Sequence, residues 1–256
     1  MTDPFALEGE VEIVAHRGFS AAAPENTLSA LVAGVEAGAD AVEFDLHTAA
    51  DGTAVLLHDE TLRRTTNGRG RVTDYSASEL GALDAGSWFA SDFAGEPVPM
   101  LSTALATLSE SNVRIYAEVK GVRRADDVPG IVDDVHEAGV AARTVYISMT
   151  WELLAAVREA DPEALVGYIV DKRRRADDAL GLASGDPRAL LDFDARILLR
   201  DQSWAERATR AGIPLACWTV DSPHDAEALV SMGVPRITTN RVGRLVAWRN
   251  GRGRPR

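Results

Sequence analysis

Cysteine is nearly absent from this chain. Cys217 stands alone, which excludes an internal disulfide, and its neighbours in Pro214-Leu215-Ala216-Cys217-Trp218 are apolar enough to bury the thiol as an inert group. Long apolar runs are missing too. No stretch approaches the roughly 18 residues of a membrane span, and Met1 to Glu8 lacks the basic region and apolar core of a secretory leader. The chain therefore reads as cytoplasmic, with no stable membrane insertion. Positive charge is scarce: 27 lysines and arginines face 39 aspartates and glutamates, and the net charge of -12 repels a phosphate backbone, which argues against nucleic acid as a partner. The one basic concentration, Arg249 to Arg256, has the glycines and proline of a flexible tail. Short-period repeats and low-complexity segments are also lacking.

What the chain does have is length and alternation. Its 256 residues, 46% of them apolar, suffice for one large core, so 1–256 is read as a single domain. A short run from Glu12 to Ala15 reads as a strand, and Leu28, Leu31, Val32 and Val35 at helical spacing follow a cap at Asn26 or Thr27. Ala41 to His47 is the second strand. Further strands are expected near Val113–Lys120, Thr144–Met149, Leu165–Val170, Arg196–Leu199, Leu215–Val220 and Arg236–Thr239. Helices are expected near Leu101–Ser109, Val128–Ala138, Glu152–Ala160, Ser203–Ala211 and Asp225–Met232. Eight strands alternating with helices in this length favour a closed parallel (β/α)8 TIM barrel over an open doubly wound sheet. Between Thr61 and Pro99 the periodicity weakens, with only Ser78 to Leu83 helical, so 61–99 reads as an insertion outside the core.

In such a barrel the active site lies at the carboxyl ends of the strands. That rule brings His16 and Arg17, Glu43 and Asp45, Glu118 and Lys120, and Trp218 to one mouth, together with His58, which ends the apolar run from Ala54. Period-two alternation sets Glu43, Asp45 and His47 on one face of their strand, and Glu118 and Lys120 share a face of theirs. Three neighbouring carboxylates repel one another, and a hard divalent cation is their natural partner. Imidazoles carry protons near neutrality, and a guanidinium suits a phosphate. Blander roles stand beside these: His16 and His58 as satisfied buried imidazoles, Lys120 as the partner of Glu118, Trp218 as core packing rather than a substrate platform.

His16-Arg17-Gly18, Pro24-Glu25-Asn26-Thr27, Glu43-Phe44-Asp45-Leu46 and the stretch His58 to Gly68 resemble the glycerophosphodiester phosphodiesterase family. The resemblance runs on through Leu83 to Phe89, Glu118-Val119-Lys120, Cys217-Trp218-Thr219-Val220 and Ile237-Thr238-Thr239, nearly the whole chain. It implies a TIM barrel with a small insertion after the second histidine-bearing segment, and metal-dependent hydrolysis of glycerophosphodiesters to glycerol 3-phosphate and an alcohol. It further implies one divalent cation, magnesium or calcium, on Glu43, Asp45 and Glu118. His16 and His58 would be general acid and base, Arg17 and Lys120 would neutralise phosphate oxygens, and Trp218 would line the pocket. The chain departs from the family's common pattern at Pro99-Met100-Leu101-Ser102-Thr103, at Asn240 in Thr239-Asn240-Arg241-Val242, and at Asp221. Two other readings compete: a phospholipase D acting on lysophospholipids, and a phosphate-ester binding module without turnover. Which alcohol leaves, which metal serves, which histidine is the acid, whether a cyclic phosphate forms and what the oligomeric state is are left open by spacing.

Overall fold

The computed structural model describes residues 4–7 and 9–252. In chain order the elements are β1 (Glu12–Ala15), α1 (Leu28–Glu36), β2 (Ala41–Thr48), β3 (Ala54–Leu56), α2 (Ala77–Gly81), α3 (Leu101–Ser109) and β4 (Arg114–Gly121). Then come α4 (Val128–Glu137), β5 (Thr144–Ser148), α5 (Trp151–Ala160), β6 (Leu165–Val170), α6 (Ala176–Ala183), β7 (Ala189–Asp194), α7 (Ala195–Arg200) and α8 (Ser203–Arg210). β8 (Leu215–Trp218), α9 (Pro223–Ser231), β9 (Arg236–Thr239) and α10 (Val242–Gly251) complete the described chain. The eight strands β1, β2 and β4 to β9 pair in parallel, and β1 joins both β9 and β2, so the sheet closes on itself. This is the (β/α)8 barrel expected from the alternation. Among the described residues, no helix is long and apolar enough to cross a membrane.

Alternate residues fill the interior in layers. At the bottom, Tyr116 donates its hydroxyl hydrogen to Glu12 Oε1 at 2.5 Å, while Arg114 and Arg236 stack over the ring of Phe5. Above them Val14, Ala41, Val145, Leu165, Leu190 and Ala216 form an apolar layer. Gly167 belongs to this packing, because a Cβ there would come within 2.7 Å of the Ile147 side chain and 2.8 Å of Leu190. The interior positions above that layer on β1, β2, β4 and β7 are polar, whereas Ile147 of β5 and Ile169 of β6 stay apolar, and together they make the site.

One expected strand is misplaced. Arg196 to Leu199 lies in helix α7, and the sixth barrel strand is β7, which ends just before that helix. The aspartates of Ala189-Leu190-Leu191-Asp192-Phe193-Asp194 interrupt its apolar run, whereas the apolar residues of Ala195–Arg200 look continuous. Asp194 decides the boundary: its carboxylate accepts from the Arg196 N–H at 2.9 Å and starts the helix there. Two helices that spacing did not mark, α6 and α10, complete the outer layer. Arg249, assigned by composition to a flexible tail, lies in α10 and pairs with Asp40, and residues 253–256 of that tail are outside the described residues.

The segment after β3 carries its own small core, in which Leu62, Val72, Ala77, Leu80, Ala85 and Val98 pack on Ala49, Val55 and Leu57. It is tied back to the barrel by Glu96, whose carboxylate accepts from the Ser29 hydroxyl at 2.8 Å.

Candidate active site

The turn after β1 is built around a backbone that few residues adopt. Arg17 and Gly18 have φ of +54° and +74°, and a Cβ on Gly18 would lie 2.4 Å from the Ala30 carbonyl carbon. Held this way, the Arg17 N–H donates to Glu43 Oε2 at 2.7 Å, so the turn itself positions a carboxylate of the neighbouring strand. Asn26, also at positive φ (+59°), does a similar job. Its amide nitrogen donates to Asp45 Oδ2 at 2.8 Å and its oxygen accepts from the Asp45 N–H at 3.0 Å. Thr27, not Asn26, caps α1.

Glu43 and Asp45 of β2 and Glu118 of β4 are buried and offer carboxylate oxygens that all lie within 4.8 Å of one another. Glu43 Oε1 and Asp45 Oδ1 have no hydrogen-bond partner. Burial, then the neighbouring Asp45 and Glu118 charges, push Glu43 well above the usual carboxylate range, and burial with Asp45 raises Glu118 to about 7. Burial acts on Asp45 too, but Arg17 and Lys120 overcome it and hold its carboxyl well below that range. An all-oxygen set with two orphaned buried oxygens and mutual repulsion fits a hard divalent cation.

Two cations already lean on the cluster. Arg17 Nε lies 3.1 Å from Asp45 Oδ2, and Lys120 Nζ lies 2.9 Å from Glu118 Oε1 and 3.5 Å from Asp45 Oδ1. From Arg17 an unbroken ion-pair chain runs outward. Its Nη1 meets Glu25 Oε1 at 2.8 Å. Arg64, from the insertion, grips both oxygens of Glu25 at 2.8 and 2.9 Å and both of Asp59 at the same distances. Asp59 Oδ1 in turn takes the Nδ1 of His58 at 2.6 Å. The two forked pairs fix geometry more than they add stability.

His58 follows β3, which is antiparallel to β2, so it reaches the mouth from a hairpin folded across the barrel and not from a barrel strand. His47, on the acid-bearing face of β2, supports it: His47 Nε2 lies 3.1 Å from the His58 carbonyl oxygen. His16 has a different backing. Asn240 donates its amide hydrogens to Asp221 Oδ2 at 3.0 Å, which leaves Asn240 Oδ1 to accept from His16 Nδ1 at 2.7 Å and from the Ser20 hydroxyl at 3.0 Å. This network assigns the proton to Nδ1 and frees Nε2. Asp221 and Asn240, two of the departures from the family's common pattern, are thus partners of one another. Burial, then the adjacent Arg17 charge, lowers His16 to about 4.

His16, Arg17, Glu43, His58, Glu118, Lys120 and Trp218 line one cavity of about 50 Å³ at the carboxyl ends of the strands, and Asp45 offers an oxygen within 4.8 Å of those of Glu43 and Glu118. Every candidate named from the sequence is brought together there. Asp192 of β7 lines it too and was not foreseen; burial and the charge of Glu118 push its carboxyl well above the ordinary range. A larger cleft of about 740 Å³ sits at the opposite barrel end, but its guanidiniums are committed. Arg114 donates to the carbonyls of Pro4 and Ala6, Arg249 pairs with Asp40, and Arg252 pairs with Glu227.

The mouth of the barrel thus gathers two imidazoles, two fixed cations and an acid cluster that fits a hard cation. Comparison with known proteins names the family. The chain belongs to the Glycerophosphoryl diester phosphodiesterase family, whose model matches residues 16–244, and it is an enzyme of that family. It is 31% identical over 233 residues to a glycerophosphodiester phosphodiesterase of Caldanaerobacter subterraneus subsp. tengcongensis, covering 89% of this chain and 93% of that one. It is also 31% identical over 265 residues to a probable glycerophosphodiester phosphodiesterase 1 of Mycobacterium tuberculosis, covering 94% and 93%. A crystal structure of glycerophosphodiester phosphodiesterase from Agrobacterium tumefaciens superimposes with a TM-score of 0.80 at 29% identity, over 93% of this chain and 99% of that one.

Proposed function

We propose that this enzyme hydrolyses small glycerophosphodiesters to sn-glycerol 3-phosphate and an alcohol in the cytoplasm. Glu43, Asp45 and Glu118 would hold one divalent cation, magnesium or calcium, and His16 and His58 would move the protons. The observation that carries this reading is the buried trio Glu43, Asp45 and Glu118, with Glu43 Oε1 and Asp45 Oδ1 making no hydrogen bond, beside a cavity lined by both imidazoles.

A phosphodiester resists attack because it is already an anion. When bound, the cation withdraws charge from phosphate oxygens and eases attack at phosphorus. Arg17 and Lys120 supply positive charge that is in place before the substrate arrives, so little reorganisation accompanies the reaction. His16, neutral at physiological pH with Nε2 free, accepts the proton of the attacking water. His58, steadied on the Asp59 carboxylate, then delivers a proton to the departing alkoxide. Each proton transfer of this kind contributes about 10²- to 10⁴-fold. The Arg17–Glu25–Arg64–Asp59 chain holds the two ends of this relay at a set distance.

Phosphorus NMR of the products formed from glycerophosphocholine tests the reading. The expected signal is that of glycerol 3-phosphate with free choline. Phosphocholine with free glycerol would place the cut on the other side of phosphorus and overturn the assignment.

A further inference from the structure

Neither Asp221 nor Asn240 lines the cavity, yet the hydrogen bond that backs the His16 ring runs through both. Asp221 follows β8 and Asn240 follows β9, the strand that pairs with β1 and so brings them behind His16. The Asp221 carboxylate is engaged at both oxygens. Its Oδ1 accepts from the Thr239 hydroxyl at 2.9 Å and from the Asn240 N–H at 2.8 Å, and its Oδ2 accepts from the Asn240 side-chain amide at 3.0 Å. One carboxylate therefore grips one residue at two points. The main chain around Asn240 is fixed as well, because the His16 N–H donates to the Thr239 carbonyl at 3.0 Å and the Ala21 N–H donates to the Asn240 carbonyl at 3.2 Å. Only the sense of the Asn240 side-chain amide is left to be chosen.

An amide has two orientations of nearly the same shape and opposite polarity. In one, its NH₂ group faces the Asp221 carboxylate and its oxygen faces His16 Nδ1; in the other, its oxygen would meet the carboxylate at the same 3.0 Å, acceptor against acceptor. The carboxylate thus decides the amide. The amide then decides the ring, because an oxygen 2.7 Å from Nδ1 requires the imidazole proton to sit there. Ser20 cannot make this choice: its hydroxyl donates to Asn240 Oδ1 at 3.0 Å, and a hydroxyl is equally able to accept from an NH₂ group. We propose that Asp221 and Asn240 are positioning residues for His16, the carboxylate selecting the amide orientation and the amide selecting the tautomer that presents a bare Nε2 to the cavity. The inference rests on the role given to His16 under Proposed function and adds what sets it. It also explains why the two departures from the family's common pattern occur together, since each is the other's partner. The two histidines of the relay are backed differently, His58 on a carboxylate and His16 on an amide that carries orientation without bringing a charge against the ring.

The same hydrogen bonds have one other solution, with the amide at position 221 and the carboxylate at 240. The test reads the His16 tautomer by nitrogen NMR of isotope-labelled histidine in the magnesium-loaded enzyme at neutral pH, the His16 signals being those lost in His16→Ala, together with kcat and KM on glycerophosphocholine. Wild type should carry the proton on Nδ1. In Asp221→Asn the new oxygen stays with the Thr239 hydroxyl and the Asn240 N–H, so the new NH₂ group meets Asn240. That amide should turn over and move the proton to Nε2, lowering kcat at least about tenfold with KM within about threefold. The double variant Asp221→Asn, Asn240→Asp restores every bond of the set, and it should return the proton to Nδ1 and recover most of the lost kcat. Damage to packing alone would not be repaired in this way. Asn240→Leu, of similar volume without the polar atoms, carries the test if Asp221→Asn does not fold; both tautomers should then be populated and kcat should fall by a similar factor. The proton held on Nδ1 in either single variant, or no recovery in the double variant, overturns the inference and leaves the proposed reaction standing. A moved proton with unchanged kcat would remove His16 as the base and overturn both.

Discussion

Replacing His16 with alanine should lower kcat by about 10²- to 10⁴-fold, the range a positioned general base supplies. Stability should change little, because the imidazole packs at a cavity wall and loses only its bond to Asn240. The pH profile separates this role from a structural one. His16 is lowered to about 4 by burial and by Arg17, so its neutral, proton-accepting form persists as the pH falls below the usual imidazole value of about 6.5. The sign is therefore an acid limb displaced downward: kcat/KM should hold through pH 6 and fall only toward pH 4. A bound cation would push the limb in the same direction. In the alanine variant that limb should vanish from the residual activity. A wild-type profile that breaks near 6.5 and an unchanged profile in the variant would both contradict the assignment.

Asp45→Asn should be at least as damaging, since one carboxylate serves three neighbours. Asp45 accepts from Asn26, pairs with Arg17 and Lys120, and offers its second oxygen to the acid cluster. The amide keeps the shape but removes the charge. Affinity for magnesium or calcium, measured by calorimetry, should fall by more than the roughly 10- to 100-fold expected for a residue that only supports a ligand, and kcat/KM should fall at least as far. Arg17 and Lys120 would each lose a partner in a buried setting, so a drop in thermal stability is expected as well. Unchanged metal affinity with unchanged activity would remove Asp45 from the centre of the account.

Much of this architecture was legible in the sequence because it is periodic. Strand-helix alternation announced the barrel, and period-two alternation put Glu43 beside Asp45 and Glu118 beside Lys120. Where chemistry interrupts periodicity, legibility fails. The aspartates of β7 hid a strand and made Arg196–Leu199 look like one, yet one of those aspartates faces the cavity. A polar residue inside an apolar run between two predicted elements is the signal that could have found Asp192. Partners joined only by the fold were beyond spacing altogether. Asn240 takes the Nδ1 of His16 across 224 residues of chain, and Arg64 of the insertion ties Glu25 to Asp59. Their presence in quoted motifs, and in the departures at Asp221 and Asn240, marked them without saying what they touch.

The central claim is that the acid cluster and the two histidines are one cation-dependent centre acting on glycerophosphodiesters. Its most direct test is release of glycerol 3-phosphate from glycerophosphocholine by purified enzyme stripped with a chelator and then resupplied with magnesium or calcium. The account predicts activity that disappears on stripping and returns with one of these ions in the wild type, and that does not return in Asp45→Asn. Full activity in the stripped enzyme, or full recovery in the variant, would contradict it.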